Sequence, residues 1–258
     1  MTRASGWPRA LDAGALQARW SSCSRADTGP PGSVGEVTGD PQPLAALIVD
    51  YGGVLTTSLP ESLMAWMRAE RVSAELFGEL MREWLAEDVA SSPAHALETG
   101  RMPAVEFERL LAERLRAADG TGPAADGLLA RMFAGFSAAP GMLGVLRNAR
   151  RHGLNTALLS NSWGADYDRD GWEELFDAVV ISGEVGLRKP EPEIFLLTAS
   201  QLGLPPQRCV FVDDLAINVR GAAKVGMVGV HHTDLGSTVD ELETLFGLPL
   251  APEAPSEV

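Results

Sequence analysis

Cysteine is nearly absent, with Cys23 and Cys209 the only two in 258 residues. Two cysteines build no disulfide framework, and their settings differ. Cys209 lies in the apolar run Cys209-Val210-Phe211-Val212, Cys23 in an irregular stretch. A reducing, cytoplasmic setting is therefore expected. Basic residues are also scarce, 21 against 35 acidic, for a formal charge of −14. Nucleic acid and anionic membranes need a basic footprint, so neither is expected as a partner. Acidity of this size serves solubility first. An anionic substrate would need a locally positive pocket or a bound cation. No apolar run approaches the roughly 20 residues that span a bilayer, and the N-terminal stretch lacks the apolar core of a signal peptide.

What is present is a normal apolar fraction, 45%, enough for a sizeable core or a core plus a smaller domain. Residues 1–43 are rich in breakers, as in Asp27-Thr28-Gly29-Pro30-Pro31-Gly32-Ser33. They read as a disordered leader with a short helix over 11–20, and residues 249–258 read as a loose tail. From 58 to 136 the periods are helical only. Leu76, Phe77, Leu80, Met81, Trp84 and Leu85 recur as one helical face. Pro103 can open a further helix with Phe107, Leu110, Leu111 and Leu115 inward. From Gly141 onward, helices alternate with short β-branched runs at 155–159, 178–182, 209–212 and 227–231. With 47–49 these make five strands and predict an α/β fold with a doubly wound parallel sheet. The helical block at 58–136 follows the first strand as an insertion, hanging above the strand ends as a lid.

Four segments could carry chemistry, each after a strand. Asp50 ends Leu47-Ile48-Val49 and opens the turn Tyr51-Gly52-Gly53. That is the end of a strand at which open α/β sheets bind ligands, although an Asp before two glycines can equally be a turn former. Ser160 and Asn161 end the second core strand. They could hold phosphate oxygens, or cap a helix. Lys189 sits in the loop Gly186-Leu187-Arg188-Lys189-Pro190, an odd place for a merely solvated charge. Asp213 and Asp214 follow the run at 209–212 and repel one another unless a cation sits beside them; the alternative reading of one of them is a cap for the next helix. Mg²⁺ favours one or two carboxylates with carbonyl, water and phosphate oxygens, a shell that Asp50 and Asp214 would begin.

Taken in order, segments 50–56, 158–162, 189–190 and 212–214 resemble the four motifs of the haloacid dehalogenase superfamily of aspartate-nucleophile hydrolases. The resemblance covers about residues 44–248. Any single motif is weak, but the ordered set is highly specific. It implies a Rossmannoid core over 44–57 and 137–248 with a helical cap over 58–136. Within the superfamily, 182–195 looks closest to the branch holding the N-terminal phosphatase domains of bifunctional epoxide hydrolases and small sugar-phosphate phosphatases. The implied roles are Asp50 as nucleophile and Mg²⁺ between Asp50, the Gly52 carbonyl and Asp214. Ser160, Asn161 and Lys189 would hold the phosphate, with Asp213 paired to Lys189. The implied partner is a small phosphorylated metabolite, and either a monomer or a homodimer would be ordinary.

One position departs from the pattern. The family's phosphatases usually carry a general acid and base two residues after the nucleophile, where this chain has Gly52. A positioned general acid is typically worth about 10²–10⁴ in rate. Esters with poor leaving groups should suffer most. Two alternatives follow. A metal-independent 2-haloacid dehalogenase needs no second Asp, but the resembling dehalogenases carry an aromatic at the Gly52 position and an Arg soon after; here the tyrosine is Tyr51 and no basic residue precedes Arg68. The other is a catalytically weakened member that binds a phosphorylated metabolite or a protein. The histidines do not fill the gap: His231 and His232 read as structural, His95 belongs to the helical block, and His152 reads as a surface residue.

Overall fold

The structure is a computed structural model that describes residues 42–57, 59–86, 92–117, 120–164, 167 and 169–252. The expected leader up to Pro41, its short helix and Cys23 lie outside the described residues. Five parallel strands, β1 (Ala46–Val49), β2 (Asn155–Ser160), β3 (Ala178–Ile181), β4 (Cys209–Asp213) and β5 (Val228–His231), pair in the order β3-β2-β1-β4-β5. Every residue of β1 is buried, as a central strand covered on both faces requires. The period of two divides the side chains between the faces. Leu47, Val49, Leu158, Val210 and Val212 enter one cluster, and Ala46, Ile48, Ala157, Leu159 and Phe211 the other. The chain reverses direction of winding beside β1, which makes the carboxyl ends of β1 and β4 the natural ligand crevice.

Between β1 and the core helix α6 (Pro140–Arg151) come α1 (Leu59–Ala69), α2 (Ala74–Trp84), α3 (Pro93–Glu98), α4 (Ala104–Arg114) and α5 (Leu128–Phe133). Ser73 caps α2 by accepting from the Leu76 N–H, and Pro93 and Pro140 open α3 and α6. These inserted helices bury a cluster of their own, including Trp66, Phe77, Leu80, Trp84, Phe107, Leu111, Leu128 and Met132. The chain enters and leaves the block side by side. Thr56 bridges Ala138 antiparallel, and the Thr57 N–H donates to Ser137 O at 2.7 Å.

The remaining helices cover the sheet: α7 (Trp172–Leu175), α8 (Ser182–Val185), α9 (Pro192–Gln201), α10 (Ala216–Lys224) and α11 (Leu235–Phe246). Three details differ from the sequence reading. Leu85 is 39% exposed, because α2 ends at Trp84 and turns it outward. Ser182 opens α8 instead of ending β3. Residues 249–252 are tied down: Leu250 is buried, and Glu243 accepts from the Leu250 and Ala251 N–H groups at 2.7 and 2.9 Å. Cys209 is a buried free thiol, and no helix among the described residues is long and apolar enough to cross a membrane.

Candidate active site at the carboxyl ends of the strands

Asp50 follows β1 directly, and its own N–H still donates to Val212 O at 2.9 Å. The strand pairing thus fixes its backbone to the end of β4. Its Oδ1 accepts from the Tyr51 N–H at 2.7 Å and meets Lys189 Nζ at 2.7 Å. No described residue bonds Oδ2. The turn beyond needs glycine at Gly53 in particular. Its φ of 72° is left-handed, and a Cβ there would lie 2.7 Å from Asp214 Cγ. A side chain at 53 and a carboxylate at 214 cannot share that space.

Asp213 and Asp214, adjacent in sequence, have different surroundings. Asp213, the last residue of β4, is fully buried and saturated. Its oxygens accept from the Leu215 N–H at 2.8 Å, from Asn218 Nδ2 at 3.1 Å twice, and from Lys189 Nζ at 2.7 Å. Asp214 is half-buried, and its backbone carbonyl lies 2.9 Å from His231 Nε2. His232 bonds Thr238 and His152 is exposed.

Lys189 is 1% exposed and touches both Asp50 and Asp213. Burial alone disfavours the ammonium, but the Asp213 and Asp50 charges outweigh it and lift Lys189 above the usual lysine range. Asn161 holds the lysine's backbone by two bonds, accepting from Lys189 N–H at 2.9 Å and donating to its carbonyl at 3.1 Å. On the other side, a Cβ at Gly221 of α10 would meet Pro190 O at 2.8 Å, so that helix is glycine where it closes on the loop. Ser160 ends β2 with its Oγ 3.0 Å from the Tyr167 hydroxyl.

The electrostatics of this cluster are unbalanced. Carboxylate oxygens of Asp50, Asp213 and Asp214 lie within 4.8 Å of one another, and among the described residues one ammonium, that of Lys189, faces these three carboxylates. Burial, only partly opposed by Lys189 and reinforced by Asp213 and Asp214, raises Asp50 to about 7. Burial and the Asp213 charge raise Asp214 to about 6. An excess of two negative charges on oxygen donors fits a hard divalent cation. Because Asp213 is already saturated, Asp50 and Asp214 are the side chains available to hold one.

The structure thus brings Asp50, Lys189, Asp213 and Asp214 into direct contact or near contact, with Asn161 supporting Lys189, Gly52 in the turn and Ser160 at the next strand end. Sequence reasoning assigned no role to three other residues. Asn218 binds Asp213 from the first turn of α10. Tyr167 reaches Ser160 from a loop. Glu98, buried in α3, pairs with Arg188 at 2.6 Å and accepts from Trp163 Nε1 at 3.0 Å. Only Asn218 had a local signal, its place one turn beyond the acidic pair. A cavity of about 380 Å³ opens between the inserted helices and these loops, lined by Leu97, Met102, Ala104, Ser162, Tyr167 and Arg169 among others.

The family model of haloacid dehalogenase-like hydrolases matches residues 44–226. Among curated proteins, Phosphatase MT3486 of Mycobacterium tuberculosis is 30% identical over 200 residues, 71% of this chain and 85% of that protein. Bifunctional epoxide hydrolase 2 of Rattus norvegicus is 34% identical over 125 residues, 45% of this chain; the match spans 22% of the rat protein's length. Among solved structures, a HAD family enzyme of Bacteroides thetaiotaomicron in complex with magnesium and inorganic phosphate superposes with a TM-score of 0.55 at 21% identity, covering 73% of this chain and 93% of that one. At that identity the likeness speaks for the fold.

Proposed function

The chain belongs to the haloacid dehalogenase-like hydrolases, and from that premise we propose that it hydrolyses small phosphate monoesters through an aspartyl-phosphate on Asp50. The observation that carries this reading is the pairing of a buried carboxylate whose Oδ2 no described residue bonds with a buried cation 2.7 Å from its Oδ1. Lys189 and the Tyr51 N–H orient Oδ1, which leaves Oδ2 to attack phosphorus. Asp50, Asp214 and the Gly52 carbonyl would hold Mg²⁺, which would supply the positive charge that lets an anionic nucleophile approach a phosphoryl group. Lys189 and Ser160 hold phosphate oxygens, while Asn161 keeps the lysine loop in register. Asp213 neutralises and aims Lys189. The excess acidity favours this chemistry over haloacid dehalogenation, which needs a cation free to receive the substrate carboxylate.

Phosphatase MT3486 supports the reaction class by its name and by matching most of both chains. The inserted helices, residues 58–136, act as a cap over a core of 44–57 and 137–248, and the cavity of about 380 Å³ beneath them suits a small organic group. The test is release of p-nitrophenol from its phosphate ester with Mg²⁺ and with EDTA, beside Asp50→Asn. Turnover that needs both Mg²⁺ and Asp50 is the expected result. Turnover that survives EDTA or the substitution overturns the reading, as does its absence from folded wild-type protein.

A further inference from the structure

Resting on the aspartyl-phosphate reading, we propose that Tyr167 supplies the proton to the leaving oxygen, the task for which Gly52 has no side chain. The phenol is held at the edge of the site by three contacts. Its hydroxyl lies 3.0 Å from Ser160 Oγ at the end of β2. Its ring packs edge-on against Tyr51 with centroids 5.0 Å apart, and Tyr51 is the residue whose N–H binds Asp50 Oδ1. Trp172 packs against it at 5.8 Å. The same residue lines the cavity shared with Leu97 and Met102. Tyr167 therefore borders both the nucleophile's own neighbours and the space for the substrate's organic group.

Burial holds the phenol above its ordinary range, the Ser160 hydrogen bond opposing and the Asp50 charge adding to the rise. It is thus a neutral O–H donor throughout the physiological range. In the first half-reaction a bond forms between Asp50 Oδ2 and phosphorus, the ester P–O bond breaks, and the Tyr167 proton passes to the departing alkoxide. In the second, water attacks phosphorus and gives one proton to the Tyr167 phenolate. The Asp50–phosphorus bond then breaks to release hydrogen phosphate and the free carboxylate. Atoms and charge balance with water as the only co-reactant. A strongly basic alkoxide needs this proton, whereas a p-nitrophenolate hardly does.

The experiment compares Tyr167→Phe with wild type on an alkyl phosphate and on p-nitrophenyl phosphate, with Asp50→Asn beside them. Phenylalanine keeps the ring contacts and removes only the hydroxyl. The expected result is a kcat loss at least tenfold larger on the alkyl ester, within the roughly 10²–10⁴ span of a positioned general acid. An equal loss on both esters, as a merely structural role would give, overturns the proposal, and so does no loss on either. If Asp50→Asn still turns over both esters, the aspartyl-phosphate reading falls and takes the proposal with it. If it does not, an equal loss in Tyr167→Phe counts against Tyr167 alone. A second measurement covers a misfolded variant. The chain has two tyrosines, so 3,5-difluorotyrosine in Tyr51→Phe protein labels Tyr167 alone. A more acidic phenol moves the alkaline limb of the alkyl-ester pH profile downward; an unmoved limb overturns the proposal.

Discussion

Burial, with the Asp213 and Asp214 charges behind it, holds the Asp50 carboxyl near pKa 7 even though Lys189 Nζ lies 2.7 Å away. An ordinary Asp in the unfolded chain titrates near 3.8. The folded metal-free protein therefore binds this proton more tightly than the unfolded chain does. Its contribution to stability is full below about pH 4 and is lost as pH rises through about 7. Asn at this position mimics the neutral carboxyl and removes the slope. Thermal melts in EDTA from pH 5 to 8 should show Tm of wild type falling relative to Asp50→Asn. Each kcal/mol is worth roughly 2–4 °C for a chain of this size. Parallel melting curves would mean that Lys189 fully compensates Asp50. Such a carboxylate is costly to keep and useful to have, because a cation or a phosphoryl group relieves the same repulsion.

Among the elements, α3 has the most consequential contact outside the strand ends. Glu98 joins Arg188, next to Lys189, and Trp163, two residues beyond Asn161. Its backbone carbonyl also accepts from Ser182 Oγ. One residue of the inserted helices thereby touches the two loops that aim the lysine. Glu98 is buried and Arg188 nearly so, their side chains 5% and 11% exposed. Removing one partner of such a pair strands the other, at a typical cost of about 3–5 kcal/mol. Glu98→Ala should therefore lower stability by roughly that amount, and Glu98→Ala with Arg188→Met should recover part of it. Denaturant unfolding of the two single variants and the double variant measures the coupling. Additive losses would leave the pair with no coupling of its own. The helical periods that placed α2 and α4 carry no trace of this contact, since amphipathicity reports which face is buried and not what one carboxylate at the end of a short helix meets.

For the molecule as a whole, the formal charge of −14 opposes the anionic substrate that the site is proposed to bind. Lys189 is buried between two carboxylates and projects little field beyond the site. The long-range field is therefore repulsive, and salt screens it over a Debye length of about 8–10 Å near physiological ionic strength. With Mg²⁺ saturating, kcat/KM on a dianionic phosphate ester should rise severalfold between roughly 10 and 150 mM NaCl. A fall over that range would indicate a basic approach path that the charge count conceals. The inserted helices belong to this scale too. Their cluster around Phe107 and Leu111 is separate from the two clusters on the sheet, and Trp163 after β2 packs edge-on against Phe107 at 5.5 Å.

Local pattern was enough to place the strands and the chemical segments. β-Branched runs marked the strands to within a residue or two at their ends, and each chemical segment follows one of them. Parallel strands aligned in one sheet carry their carboxyl ends to one edge, so the order of motifs already implied that Asp50, Ser160 and Asp213 would meet there. How neighbours divide the work is set by packing between distant segments. Asp213 is saturated by Leu215, Asn218 and Lys189, while Asp214 keeps its side chain for the crevice. Tyr167 and Glu98 enter because a loop and an inserted helix fold back on the strand ends. Neither residue sits in a periodic run, and contacts between segments distant in the chain leave no local pattern to read. They are set by which loops the packed sheet and the helical block bring together.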